Sequence, residues 1–284
     1  MACLIGLNLL NFGAEADLGA LSGSIVRAED VGFDLLMTSD HVVITDDVQA
    51  AYPAPFREPF TLLAWASGRT GMSLGTTVAV LPYRHPELVA SMVDTIEHLS
   101  GRPFTLGVGV GWAEQEFERL EVPFAARGDI FDRDLSILVA HRAGTPNEPD
   151  LSGVRSGHFR SAIWLGGNGR RARRRAARLG LAWHPLGVTP AALMAGVEEL
   201  SASGGGAPLA PRIKLRPGPQ DDKPGRRLGS GSWEQITADL ELTLSLGATH
   251  IVLDPDVPET RAGADPWPAL ERAVRIIRDV RVPD

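Results

Sequence analysis

Cysteine is almost missing: Cys3 is the only one in 284 residues. That rules out an intramolecular disulfide and any cysteine-based metal cluster. An excess of positive charge is missing too. The formal net charge is −7 and the isoelectric point about 5.5. General nucleic-acid binding needs a basic face, so that class is disfavoured. No apolar run approaches the roughly 20 residues that cross a bilayer. The opening MACLIGLNLLNFG has no basic segment ahead of its apolar residues, and it reads as a first strand and not a secretion signal. There is no G-x-S-x-G turn and no H-E-x-x-H pair. The seven histidines (His41, His85, His98, His141, His158, His184, His250) show no metal-ligand spacing. No zinc site is expected, nor does any period of about 20 to 50 residues repeat. A cytoplasmic protein without membrane or nucleic-acid partners fits these absences.

What is present is ordinary globular composition, 44% hydrophobic and 22% charged. Apolar, β-rich runs alternate with amphipathic stretches. The strand candidates are LIGLNL (4–9), DLLMTS (34–39), MSLGTTVAVL (72–81), FTLGVGV (104–110), AIWLG (162–166), LAWHP (181–185), RIKLR (212–216) and HIVLD (250–254). They are continuous apolar runs, as expected of parallel strands buried on both faces. Helix candidates are 18–31, 58–68, 85–99, 112–120, 127–141, 168–179, 190–202, 233–246 and 267–279. Ser232 and Pro86 mark two starts; Gly247 and Gly101 mark the matching ends. This alternation predicts an α/β fold, a (β/α)₈ TIM barrel in one domain, 1–284, with a doubly wound sheet as runner-up. Segments 42–57, 143–161, 203–210 and 217–231 read as loops.

In a barrel, chemistry sits just after the strand C-termini. Asp40 and His41 close the second strand candidate. Asp caps many strand ends, but an imidazole with a reference pKa of about 6.5 also suits proton exchange. Thr76, Thr77 and Val78 end the third strand, where small side chains allow a flat ring to approach; plain strand propensity explains them as well. Arg84 and His85 follow, as anion ligands or as a surface helix start. Gly107, Gly109 and Gly111 alternate through the end of the fourth strand, so something comes close to that backbone. The spacing is not a dinucleotide fingerprint. Glu114 and Glu116 read mainly as first-turn residues favoured by the helix dipole. Trp183 and His184 either line a pocket or pack in the core.

The segment AIWLGGNGRRARRRAARLG ends a strand in Gly166, Gly167, Asn168 and Gly169, then crowds six arginines into residues 170–178. Glycines leave N–H groups bare at a helix N-terminus, a cradle for phosphate. Most of those arginines read as a solvated face, with Arg170 and Arg171 nearest the turn. With no acid–base pair or metal evident, chemistry borrowed from a phosphorylated cofactor is the economical expectation.

The stretches GFDLLMTSDHVV, LGTTVAVLPYRHP, LGVGVGWAEQEF, AIWLGGNGRR and GSWEQITADLELTLSLGATHIVLDPD resemble the luciferase-like monooxygenase superfamily, and within it the actinobacterial coenzyme F420-dependent oxidoreductases. The resemblance runs from about residue 4 to the C-terminus. It implies a homodimeric barrel holding coenzyme F420, or alternatively FMN, and a small-molecule substrate. It places a non-proline cis bond at Thr77–Val78 behind the ring. Asp40 and His41 line the ring, Val110, Gly111 and Trp112 lie beside it, and Gly166, Gly167, Asn168, Gly169 and Arg170 take the phosphate. His41 is then the expected proton donor, with Asp40 orienting it or binding the cofactor. Hydride would pass between C5 of the deazaflavin and the substrate, in imine or activated C=C reduction. An FMN-dependent monooxygenase and a non-catalytic flavin- or partner-binding barrel are the alternatives. Three features depart from the pattern. Trp112 stands where a sugar-phosphate-oxidising branch has a catalytic glutamate. The run before W-L-G-G is reduced to SGVRSGHFRS. LGLAW replaces GDGW.

Overall fold

The structure is a computed structural model that describes residues 3–143, 161–204, 206–255 and 265–280. The strands among these residues are β1 (Leu4–Leu9), β2 (Leu35–Thr38), β3 (Ser73–Val80), β4 (Phe104–Gly109), β5 (Ala162–Gly166), β6 (Ala182–His184), β7 (Arg212–Pro217), β8 (Ser230–Gly231) and β9 (His250–Pro255). The helices are α1 (Leu18–Val31), α2 (Asp46–Gln49), α3 (Pro59–Ser67), α4 (Pro86–Ser100), α5 (Glu114–Arg119), α6 (Arg127–Ala143), α7 (Arg170–Leu179), α8 (Pro190–Ala202), α9 (Trp233–Ser245) and α10 (Trp267–Asp279). Each strand candidate of the sequence is found. Two short elements were not anticipated: β8, inside the expected 217–231 loop, and the single turn α2, inside the expected 42–57 loop. Most of the expected 143–161 loop lies outside the described residues.

The helices start and stop where their end residues dictate. Pro86 opens α4, and its fixed φ costs nothing in a first turn. Gly101 ends it in the left-handed region, at φ 68°. Ser232 and Gln235 form a reciprocal capping box on α9. α7 has no side-chain cap at Gly169 and ends on left-handed Gly180.

The chain divides into two compact units. The first comprises residues 1–9, 26–36 and 164–284. In it β9 lies between β1 and β7, all parallel, with Ile5 opposite Ile251 and Ile213 opposite Leu253. β7 also pairs with β8, and β5 with β6. Its core includes Ile5, Leu7, Ile213, Val252 and Leu253, all essentially fully buried. Trp183 and His184 are packed here too, which settles their reading as a core pair. The six-membered ring of Trp183 lies where a Cβ on Gly196 of α8 would sit, 2.2 Å away, so only glycine fits there.

The second unit comprises residues 10–25 and 37–163. β3 and β4 run parallel in it, with a register shift between Thr76 and Ala79 that is a bulge. The Thr77–Val78 peptide inside the bulge is cis, as the resemblance implies. The bulge also explains the glycine alternation in β4. A Cβ on Gly107 would meet the Thr76 carbonyl at 2.2 Å, and one on Gly109 would meet Val78 Cγ2 at 2.7 Å. What comes close to that backbone is the neighbouring strand.

Candidate active site

In the second unit, β2 delivers Asp40 and His41 as one buried pair, but each has its own partner. Asp40 Oδ2 accepts from Val80 N–H at 2.8 Å and Arg84 Nη1 at 2.7 Å; Oδ1 accepts from Arg84 Nη2 at 3.0 Å. The same Nη2 reaches Glu58 Oε1 at 2.8 Å. Burial pushes the Asp40 carboxyl up, against the pull of Arg84 and Val80 N–H. Burial alone would weaken the Arg84 guanidinium as a base, but Asp40 outweighs it and holds Arg84 charged. Arg84 is thus a buried fork between two carboxylates, and His85 caps α4 through Glu87 N–H. The Arg84 guanidinium is therefore not left over for a phosphate.

The residue that orients His41 is Glu116, not Asp40. Glu116 is fully buried at the start of α5. Its Oε2 accepts from His41 Nδ1 at 2.7 Å and from the Tyr83 hydroxyl at 2.9 Å. Its Oε1 accepts from the N–H groups of Val42 and Val43 at 2.5 and 3.0 Å. Burial alone would raise this carboxyl, yet the bonds from His41 and Val43 N–H hold it below the usual carboxylate range. Tyr83 is pushed the other way, by burial and by the Glu116 charge, so it stays a donor. An ionised carboxylate only accepts, so His41 carries its proton on Nδ1. Its Nε2 has no protein partner among the described residues.

Three aromatic rings surround that atom's ring, and a fourth packs on two of them. Tyr52, Phe56 and Trp112 have centroids 5.3, 5.2 and 5.5 Å from His41. Phe12 packs on Tyr52 and Phe56 at 5.1 and 5.4 Å. Local backbone makes the group. Phe12 bridges Phe56 in antiparallel fashion. Gly13 N–H donates to the carbonyls of Pro53 and Pro55 at 3.0 and 2.8 Å. Gly13 has φ 62°, and a Cβ there would meet Pro53 Cγ at 2.9 Å. Asn11 Nδ2 ties the carbonyls of Ser39 and Arg57 at 2.9 and 2.7 Å. Val110 and Gly111 are half-buried and Trp112 is 49% exposed. Gly111 has φ 78°, and a Cβ on it would strike Phe117 and Val80 at 2.7 Å. That glycine sets the angle at which Trp112 leaves β4.

In the first unit, Gly167 has φ 119°, which favours glycine, and Gly166, Asn168 and Gly169 complete the turn. The Asn168 side chain acts as a backbone surrogate, donating to Leu186 O at 2.7 Å and accepting from Leu186 N–H at 3.2 Å. Trp183 Nε1 donates to Gly167 O at 2.9 Å. Arg170 is largely exposed and pairs with Glu199 at 3.3 Å. The arginine that holds the turn is Arg173, through Asn168 O at 2.6 Å and Glu199 at 2.6 Å. Sequence reasoning had assigned it to the solvated face.

Glu116, Tyr83, Glu58, Phe12, Tyr52 and Phe56 were not picked out, or were discounted, at the level of sequence. Only Glu116 carried a usable signal, since it is the acid of the G-x-G-x-G-W-x-x-x-E-F block.

The model of the family described as luciferase-like monooxygenase matches residues 10–213. A relative in Streptomyces nodosus subsp. asukaensis, 4-hydroxyprotoasukamycin monooxygenase, is 35% identical over 167 residues, 58% of this chain and 41% of that one. The chain thus spans less than half the length of the curated relatives it first matches. Among solved structures, the coenzyme F420-dependent tetrahydromethanopterin reductase of Methanopyrus kandleri superposes with a TM-score of 0.69 at 14% identity, covering 98% of both chains. The oxygenating constituent of 3,6-diketocamphane monooxygenase of Pseudomonas putida, solved with FMN, gives 0.69 at 16% identity over the whole of both chains. The fold class is therefore the α/β, TIM-barrel-type class of these proteins, and the protein belongs to the luciferase-like monooxygenase family.

Proposed function

We propose that the protein is a coenzyme F420-dependent oxidoreductase that reduces an imine or activated C=C bond of a small organic substrate, with His41 as the proton donor. The observation that carries this reading is the Glu116–His41 pair. It fixes one ring nitrogen and leaves the other facing a half-exposed aromatic surface. Reduction of such a bond consumes a hydride and a proton. When bound, the reduced deazaflavin supplies the hydride. The protein's task is to position, to exclude water and to deliver the proton.

The residues present fit a flat, uncharged ring. Val78 is the one residue of the stretch Leu74–Val80 that is not fully buried, and it offers an apolar face at the bulge. Val110, Gly111 and Trp112 offer another. The nearby carboxylates, Asp40 and Glu116, are buried and already satisfied, so the ring would meet no unpaired charge. Val78, Val110, Gly111 and Trp112 would hold the ring. In the first unit, the uncapped N-terminus of α7 after Gly166–Gly169 is suited by its own chemistry to an anionic group. Protonated His41 Nε2 would release its proton to the substrate. Glu116, ionised and buried, stabilises the imidazolium that precedes release and returns the ring to the Nδ1–H tautomer afterwards.

The second reading, an FMN-dependent monooxygenase, is favoured by the Streptomyces nodosus relative and by the FMN complex among the structural neighbours. Parallel equilibrium titration with F420 and FMN tests the choice. Saturable F420 binding with weaker FMN binding is expected. FMN binding without F420 binding overturns the first reading in favour of the second. Binding of neither points to a non-catalytic barrel.

A further inference from the structure

Aromatic residues are only 6% of this chain; elsewhere Trp164, Trp183, Phe104, Phe117 and Phe131 are fully buried, and half-buried Trp65, Phe124 and Trp233 each lie under an arginine. The group around His41 is different. Phe12, Tyr52 and Phe56 are half-buried, and Trp112 is half-exposed. They come from three separate stretches of chain, joined by ring contacts, by the Phe12–Phe56 bridge and by the hydrogen bonds of Gly13 and Asn11. Large rings brought together and left uncovered mark a binding surface.

The polar atoms of the group say what it binds. His41 Nε2, the Tyr52 hydroxyl and Trp112 Nε1 have no protein partner among the described residues, while His41 Nδ1 is taken by Glu116. The Tyr52 hydroxyl and the Trp112 indole N–H donate; His41 Nε2 accepts while the ring is neutral and donates once the ring is protonated. The carboxylates at this surface are already paired. Glu116 and Asp40 lie behind it with all their oxygens engaged, and Arg84 is committed to Asp40 and Glu58. Arg57, next to Phe56, spends its Nε on Ala16 O at 3.0 Å. A cationic ligand would lose its hydration here and find Glu116 and Asp40 already paired. A flat ring gains offset or edge contacts on several faces, and an oxygen on it would find donors.

We infer that this cluster is the substrate subsite, and that its substrate class is planar conjugated carbonyl compounds without positive charge. This rests on the reading of His41 as the proton donor; the carbonyl oxygen bonded at Nε2 is what makes the adjacent C=C bond reducible. The probe is chromone, a planar neutral enone. Its comparators are 2-(aminomethyl)chromone, which adds a positive charge when protonated, and 1-decalone, which keeps the carbonyl but is neither planar nor conjugated. Binding to the full chain is measured by calorimetry, with and without bound F420. Chromone should bind about tenfold more tightly than either comparator, the step that one good aromatic contact commands. Trp112→Ala and Phe56→Leu should each remove most of that preference. Addition of chromone should move the side-chain ¹⁵N resonance of His41 Nε2 more than that of Nδ1. Equal or tighter binding of the decalone or the aminomethylchromone, measured on the unaltered chain, overturns the inference even where a variant fails to fold. Chromone preference in a protein that takes no F420 would sink the cofactor assignment and leave the subsite standing. F420 binding without chromone preference would do the reverse.

Discussion

Glu116→Gln tests the orientation of His41 with little change of shape. The carboxylate accepts four hydrogen bonds, two at each oxygen. A glutamine oxygen can keep Val42 and Val43 N–H. Its amide nitrogen then faces His41 Nδ1–H and the Tyr83 hydroxyl, two donors. Tyr83 can rotate its proton away. His41 escapes the clash only by moving its proton to Nε2, so the tautomer reverses. Buried donors imperfectly met cost about 1–3 kcal/mol, which lowers the melting temperature by about 2–4 °C for each kcal/mol. The imidazolium also loses its buried counter-charge. General acid catalysis is commonly worth about 10²–10⁴ in rate, and kcat should fall within that range while cofactor affinity holds. The tautomer is read directly from His side-chain ¹⁵N shifts, and kcat from deazaflavin absorbance with the enzyme's own substrate. An unchanged Nδ1–H tautomer together with kcat within about twofold of the parent would refute the reasoning. A purely structural role predicts lost stability with the tautomer retained.

Arg84→Met leaves Asp40 buried with only Val80 N–H as partner, and breaking such a pair costs about 3–5 kcal/mol. Asp40 is already pushed up by burial, so the variant should lose stability as pH rises above the ordinary carboxylate range; a flat urea-midpoint profile there would contradict this. Gly107→Ala puts a methyl against the Thr76 carbonyl, and overpacking of about 1–3 kcal/mol or more is expected, seen as a lower melting temperature; Gly128→Ala, with open space around it, should change little. His184 is buried and pushed down to about 4 by desolvation. Its neutral form supports the fold fully above about pH 6.5, and that support drains as pH falls towards 4, by about 3 kcal/mol in all. His184→Asn should flatten this part of the stability–pH curve.

The fold was legible because its signals are local. Continuous apolar runs, Pro86, Gly101 and Ser232 each fix an element through their own backbone chemistry. The short β8 and the single turn of α2 escaped, being too brief to show a period. The site was legible at its strand ends, where Asp40, His41 and the β4 glycines stand. It was not legible in its pairings. Glu116 is 75 residues from His41 along the chain, and nothing local separates a helix-dipole glutamate from one folded beneath an imidazole. Arg84 looked free because its partners, Asp40 and Glu58, meet it only in three dimensions. Tyr52 and Phe56 sit in a proline-rich stretch with no period, and their packing against Phe12 depends on Gly13 making its left-handed turn. The glycines of β4 were correctly read as a close approach, but the approaching group is the bulge of β3.

The most direct measurement is the electron density of a co-crystal grown with F420. The account predicts a deazaflavin ring against Val78 and Val110–Trp112, with His41 Nε2 facing its uncovered side and Nδ1 still on Glu116. A ring elsewhere in the protein, or His41 turned away from Glu116 towards Asp40, would contradict it.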